Sequence, residues 1–290
     1  MYKAVDGLAY FGQTLATDKQ PSRFNGPEFY KGLQDKIRSF GIEAKFIITH
    51  FGQNDIPLLE RALVENPDLF AGGLLQINPN FGLKDKIGYV SPYEVECIIC
   101  RNKNKKRKIV GLKLNTAVTR SKVDGFPVLP YYGLAEEYDM PVMFHCGTNG
   151  QQFTHPDYFR RIADTFPDLV QIYQHYGGLR TDYMVEYIKL VSELEGKGIM
   201  ATAGLSGELR RIDLTTIPAT ETNDEYPDKF TQFFLDTIGG IQDRVILSMD
   251  SGWLRSTLHP IDGASEEIIK KVCWENPINV FGLDFLTKTL

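Results

Sequence analysis

The chain has 290 residues with 32 Lys+Arg against 37 Asp+Glu, a formal net charge of −5, and 42% hydrophobic content. That composition excludes a disordered chain and supports a packed core. The acidic balance argues against a dedicated nucleic-acid binder, which needs a strongly basic face to neutralise phosphates. No apolar run approaches the roughly 18 residues that span a bilayer, and Met1 to Gly12 lacks the basic flank and apolar run of a secretion signal. A cytoplasmic protein with a small-molecule partner, and without nucleic-acid or membrane partners, is therefore expected. Four cysteines are too few for a disulfide framework at this length and are read as free thiols.

Short apolar runs alternate with longer amphipathic stretches along the whole chain. The predicted strands are Ala4 to Gly12, Ala44 to His50, Leu69 to Asn78, Ile109 to Asn115, Pro141 to Gly147, Val170 to Gly177, Gly198 to Gly204 and Arg244 to Asp250. Between them, Ile56 to Glu65, Pro156 to Phe166, Tyr183 to Glu195 and Pro227 to Ile238 carry apolar residues every third or fourth position and are predicted helices. Eight strand-then-helix units describe an α/β fold of the (β/α)8 TIM-barrel type, in one domain over residues 1–290. A doubly wound open sheet would use the same alternation, but no Gly-x-Gly-x-x-Gly turn follows the first strand.

The charge run Arg101 to Lys108 falls between the third helix and the fourth strand, at the bottom of such a barrel, and is read as a solvated loop. Cys97 and Cys100 lie three apart on a predicted helix with no second cysteine pair, so burial on one helix face is expected rather than zinc or redox use. Gly204 to Glu225, long and polar after the seventh strand, has the form of a substrate-covering loop.

In these barrels chemistry sits where strands end at their carboxyl side. The fifth predicted strand closes on Phe144-His145-Cys146-Gly147, the sixth on Gln174-His175-Tyr176-Gly177-Gly178 and the eighth on Ser248-Met249-Asp250. On the fourth, Lys113 and Asn115 alternate with Leu112 and Leu114, so both polar groups face one side, the barrel interior. The same phase turns Gln76 and Asn78 inward, whereas Cys146 points away from His145. A carboxylate, two imidazoles and an ammonium gathered in one cavity are costly to desolvate unless they pair with one another, a metal or a ligand. His145, His175, Asp250 and Lys113 are accordingly the candidate centre. His50 closes the second strand and is read as a hydrogen-bonding residue. Among the upper-loop arginines Arg120, Arg180, Arg210, Arg211 and Arg255, at most two are expected to touch a carboxylated or phosphorylated ligand.

At these residues the chain resembles the amidohydrolase superfamily, in the branch of aminocarboxymuconate-semialdehyde decarboxylase and related "amidohydrolase 2" barrels. The motifs are Val110-Gly111-Leu112-Lys113-Leu114, Met140-Pro141-Val142-Met143-Phe144-His145-Cys146-Gly147, Phe166-Pro167-Asp168-Leu169 leading to His175-Tyr176-Gly177-Gly178, Asp243-Arg244-Val245-Ile246-Leu247-Ser248-Met249-Asp250, and Glu275-Asn276-Pro277-Ile278-Asn279-Val280-Phe281-Gly282-Leu283. The resemblance implies that His145 is a metal-binding histidine, that Asp250 binds metal and handles protons, and that His175 polarises substrate or ligates metal. The family's first strand ends in Asp-x-His-x-His, but here the stretch is Asp6-Gly7-Leu8-Ala9-Tyr10, without either histidine.

What remains, His145, His175 and Asp250, is a three-ligand set for one divalent ion, zinc first, with a metal-free site as the other option. The implied activity is hydrolysis or decarboxylation of a small carboxylated molecule. Asp250, His175 and Lys113 are the catalytic candidates, and Asn115, Arg180, Arg255 and Tyr10 the substrate contacts. The alternative is a catalytically inactive barrel that binds a metabolite or serves in assembly, motivated by the lost pair. Barrels of this branch often pair, so a homodimer is among the expectations.

Overall fold

The computed structural model describes residues 2–10, 12–13, 24–39, 41–50, 55–79, 90–103, 109–146, 151–177, 181–201, 241–248 and 265–287. In chain order they form β1 (Tyr2–Tyr10), α1 (Pro27–Arg38), β2 (Ile42–Thr49), α2 (Ile56–Glu65), β3 (Phe70–Ile77), α3 (Pro92–Lys103), β4 (Ile109–Leu114), α4 (Leu129–Glu137), β5 (Val142–Phe144), α5 (Pro156–Thr165), β6 (Gln171–Tyr173), α6 (Thr181–Glu193), β7 (Gly198–Ala201) and β8 (Val245–Ile246). The eight strands form one sheet in sequence order and each pairs in parallel with the next. Parallel neighbours need long crossovers, which α1 to α6 provide.

The two sheet edges meet where the Gly7 N–H donates to the Leu247 carbonyl at 2.8 Å, closing the sheet into a (β/α)8 barrel. This contact explains a glycine in the middle of β1. A Cβ there would lie 2.9 Å from the Leu247 carbonyl oxygen and 3.0 Å from Ile246 Cδ1. The pairing of β1 with β2 also shifts register between Asp6 and Ala9, as the strand bends toward β8.

Helix positions follow from local signals. α1 opens on Pro27, whose missing N–H costs nothing in the first turn, and buries Tyr30, Leu33 and Ile37 on one stripe. α5 opens on Pro156 behind His155, whose Nδ1 accepts the Asp157 N–H at 3.3 Å. Alternate strand residues build two layers. Leu112, Leu114, Val142, Phe144 and Tyr173 pack outward with Tyr132, Phe159 and Tyr187 of the helices. Val5, Ile47, Leu74, Val110, Met143, Ile172, Ile199 and Ile246 fill the interior.

The C-terminal segment closes the end where the strands begin. Ile278, Phe281, Leu283 and Leu286 join the interior cluster, and Lys3 sits over the Trp274 ring at 5.5 Å. Its helix widens into a π turn over Lys271–Glu275, and there the Val272 carbonyl accepts the Leu247 N–H at 3.0 Å. A π turn breaks the regular i to i−4 ladder, and here the carbonyl it presents anchors β8.

The eight-strand alternation was legible, and α2 matches its predicted span residue for residue. Three strands are less than half as long as predicted. β5 is Val142–Phe144, β6 is Gln171–Tyr173 and β8 is Val245–Ile246, because the chain leaves the ladder to arrange the residues above it. His175 therefore stands on a 3₁₀ turn, Gln174–Gly177, and not on a strand. The predicted helix Pro227 to Ile238, the loop Gly204 to Glu225, and Arg210, Arg211 and Trp253 lie outside the described residues. The charge run begins inside α3, where Arg101 pairs bidentately with Glu60 of α2 at 2.8 and 2.7 Å, and residues 104–108 lie outside the described set. Among the described residues no helix is long and apolar enough to cross a membrane.

The expected burial of Cys97 and Cys100 is corrected. Both are exposed, because Val95, Ile98 and Ile99 form the buried stripe of α3 and the cysteines fall on its opposite side. Cys146 and Cys273 are buried, and burial pushes each thiol up to about 12. All four cysteines are free. A maleimide reagent is therefore expected to modify two thiols of the folded protein quickly and all four only after denaturation. Mass spectrometry of the labelled protein reads this directly, and fast labelling of Cys146 would contradict the packing described.

Candidate functional site

The strand register lines up the interior polar groups. Gln76 on β3 pairs with Lys113 on β4, Lys113 with Met143 on β5, and Met143 with Ile172 on β6. Leu112 and Leu114 lie in the outer layer, so alternation turns Lys113 inward as predicted, and it is fully buried. This row is thus polar on β3 and β4 and apolar on β5 and β6. Two residues further along the strands come Asn78, Asn115, His145 and Gln174, at the carboxyl end where barrel chemistry is found.

His145 follows β5 with its N–H donated to the Leu114 carbonyl at 2.9 Å, while Thr116 Oγ1 donates to the His145 carbonyl at 2.8 Å. Both sides of this residue's backbone are thereby fixed. Its Nδ1 lies 3.3 Å from His175 Nε2, with the rings edge to face and their centroids 4.7 Å apart. His175 is held at φ +54°, a left-handed conformation that non-glycine residues adopt rarely and that concentrates at functional sites.

Burial pushes the His145 imidazole well below its ordinary value, reinforced by His175 and then by Lys113. The ring is therefore neutral at pH 7, with a lone pair available to a proton or a cation. Protonating it requires unfolding or rearrangement, so the unfolded chain binds this proton more readily than the folded one. Stability from this group is complete above the ordinary histidine value of 6.5 and is lost as pH falls below it toward the lowered folded value. The slope is at most about 1.4 kcal/mol per pH unit. Urea melts of the parent and His145→Gln between pH 7.5 and 5 are expected to show a shallower acid loss in the variant. Parallel curves would refute the burial effect.

Two nitrogen ligands about 2.05 Å from a tetrahedral ion stand about 3.3 Å apart, so the His145–His175 pair fits two neighbouring positions of a divalent metal. Among the described residues no group of three or more His, Cys, Asp or Glu side chains is gathered to complete such a site. Asp250, Arg180 and Arg255 lie outside the described residues. Tyr10 ends β1, a strand that contains no histidine. Cys146 points into the outer layer, opposite His145, as predicted.

His50 is buried and its Nε2 accepts the Gln76 N–H at 3.1 Å, which makes it a hydrogen-bonding residue and withdraws that nitrogen from a ligand set. Asn115 caps the short helix Thr116–Thr119, its side chain accepting the Val118 N–H at 3.4 Å. Arg120 follows that helix at φ +50° and is exposed. Two residues escaped functional assignment from sequence. Thr116 steadies His145, and Gln174 sits fully buried beside His175. The alternation through Ile172 and Tyr173 was a usable signal for Gln174, whereas the Thr116 contact arises only in three dimensions.

The barrel thus sets a histidine pair at the carboxyl ends of adjacent strands, where barrel chemistry is found. Residues 100–205, which include Lys113, His145 and His175, match the amidohydrolase family model. Among solved structures, the fold is similar to an amidohydrolase from Burkholderia multivorans with bound zinc, at 11% identity and TM-score 0.65 over 96% of this chain and 99% of that one. It is also similar to a 4-oxalomesaconate hydratase from Rhodopseudomonas palustris, at 11% identity and TM-score 0.60 over 99% and 98%. A third is a 5-carboxyvanillate decarboxylase from Novosphingobium aromaticivorans, complexed with manganese and a nitrobenzoic acid, at 13% identity and TM-score 0.55 over 97% and 96%. No match was found among curated proteins. The resemblance to amidohydrolases is thus borne out over residues 100–205 by the family match, and the solved structures show the barrel fold over nearly the whole chain.

Proposed function

We propose that this protein is a cytoplasmic amidohydrolase-type enzyme that hydrolyses or decarboxylates a small carboxylated molecule at the carboxyl-end mouth of its barrel. The observation that carries this reading is the His145–His175 pair, with ring nitrogens 3.3 Å apart, beside the buried Lys113. Imidazole and ammonium groups held in a dry interior act strongly on charge that develops nearby, without reorganising first. His175 and Lys113 stabilise the oxyanion of the reacting substrate, and Asp250 accepts the proton released by attacking water or by the substrate. His145 and His175, with Asp250, would hold one divalent ion, zinc first. Such an ion polarises a substrate oxygen and lowers the pKa of bound water. Arg180, Arg255, Tyr10 and Asn115 are the proposed substrate contacts.

The test combines elemental analysis of protein purified without chelator with a turnover screen on lactones, lactams and carboxylated aromatic acids. About one equivalent of zinc or manganese is expected, lost in His145→Ala, and Asp250→Asn should lower kcat by about 10²- to 10⁴-fold. A parent that turns over nothing in the screen and matches Asp250→Asn throughout would overturn the reading.

A further inference from the structure

Gln174 stands immediately before His175. The Tyr173 ring packs outward against Phe144, Phe159 and Tyr187, so alternation turns Gln174 toward the barrel interior. Gln174 opens the 3₁₀ turn that directly follows β6, as His145 directly follows the neighbouring β5. Its side chain is fully buried, and neither the Nε2 nor the Oε1 of its carboxamide has a hydrogen-bond partner among the described residues. A buried donor and a buried acceptor left unmade are both costly, and the cost disappears when one ligand satisfies the two together. The planar carboxamide offers an N–H and a C=O side by side. Its complement is a group that also presents C=O and N–H on one edge, which is a lactam or another cis amide. Carboxylates and esters carry acceptors alone and would leave Oε1 stranded.

We propose that Gln174 selects the substrate of this centre, which is a carboxylated lactam or cis amide. The amide carbonyl accepts from Gln174 Nε2 and the amide N–H donates to Gln174 Oε1. This assignment rests on the enzymatic reading above and narrows it to a substrate class.

Two probes separate the donor from everything else. Racemic 5-oxoproline is a lactam bearing a carboxylate, and racemic 3-oxocyclopentane-1-carboxylate replaces only its ring N–H with CH₂. In calorimetric titrations of the full chain as purified, 5-oxoproline is expected to bind about tenfold or more tightly than the ketone. In Gln174→Met, and in Gln174→Leu should the first variant fold poorly, the ratio should fall to near one, while both probes still shift the His145 and His175 ring signals in NMR spectra. Equal binding of the probes by the parent, or a ratio that survives both substitutions, overturns the assignment. Absence of binding by either probe overturns it too. The broader reading is judged apart from these outcomes, because it stands or falls on turnover lost in Asp250→Asn.

Discussion

Replacing His175 with glycine is expected to give a protein that melts higher than His175→Ala yet has lost as much turnover. The residue is held at φ +54°, where a side chain with a Cβ is strained and glycine is not. Relief of that strain is worth about 1 kcal/mol, or roughly 2–4 °C in melting temperature. Both variants remove the ring that stands 3.3 Å from His145 and would stabilise charge in the reaction. The expected loss in kcat is about 10²- to 10³-fold. A histidine kept for packing alone would show the same stability order with turnover intact, so the pair of measurements separates function from structure. Melting of His175→Ala at or above His175→Gly would show that the left-handed backbone is not under strain, and turnover within a few-fold of the parent would remove His175 from the chemistry.

Gly7→Val should be the most destabilising single change in β1. The new side chain would meet the Leu247 carbonyl oxygen and Ile246 at the seam where β1 meets the end of β8. Backbone on one side and a packed interior on the other leave little room to yield, and the Gly7 to Leu247 hydrogen bond is threatened as well. Overpacking with partial loss of that bond should cost about 3 kcal/mol, a fall of roughly 6–12 °C in melting temperature. Gly32→Ala is the control. That residue is exposed within α1 with nothing near its missing Cβ, so alanine should raise stability by about 0.5–1 kcal/mol through helix propensity. Equal effects of the two substitutions would mean that the barrel does not close at Gly7.

Much of the site was legible because barrel strands obey a simple rule. Leu112-Lys113-Leu114 shows polar against apolar alternation, and the structure places Lys113 inside and both leucines outside. Phe144-His145-Cys146 follows the same rule, with His145 beside His175 and Cys146 in the outer layer. The rule fails where the chain leaves the ladder. Nothing in Gln174-His175-Tyr176 announces a turn with a left-handed histidine, since that conformation is imposed by surrounding packing and not by local preference. The cysteines of α3 were misjudged for a related reason. Spacing says that Cys97 and Cys100 share a face, but which face the barrel covers depends on how α3 docks.

The order of strands and helices, the inward set of Gln76, Lys113 and His145, and the absence of any histidine from β1 belong to the sequence itself, because periodicity and residue identity are local properties. The closure at Gly7, the hydrogen bond that occupies His50, the approach of His145 and His175 to 3.3 Å, and the buried carboxamide of Gln174 were decided by the tertiary structure. Each of these depends on segments distant along the chain being brought within a few ångströms, and only the packed barrel specifies those distances.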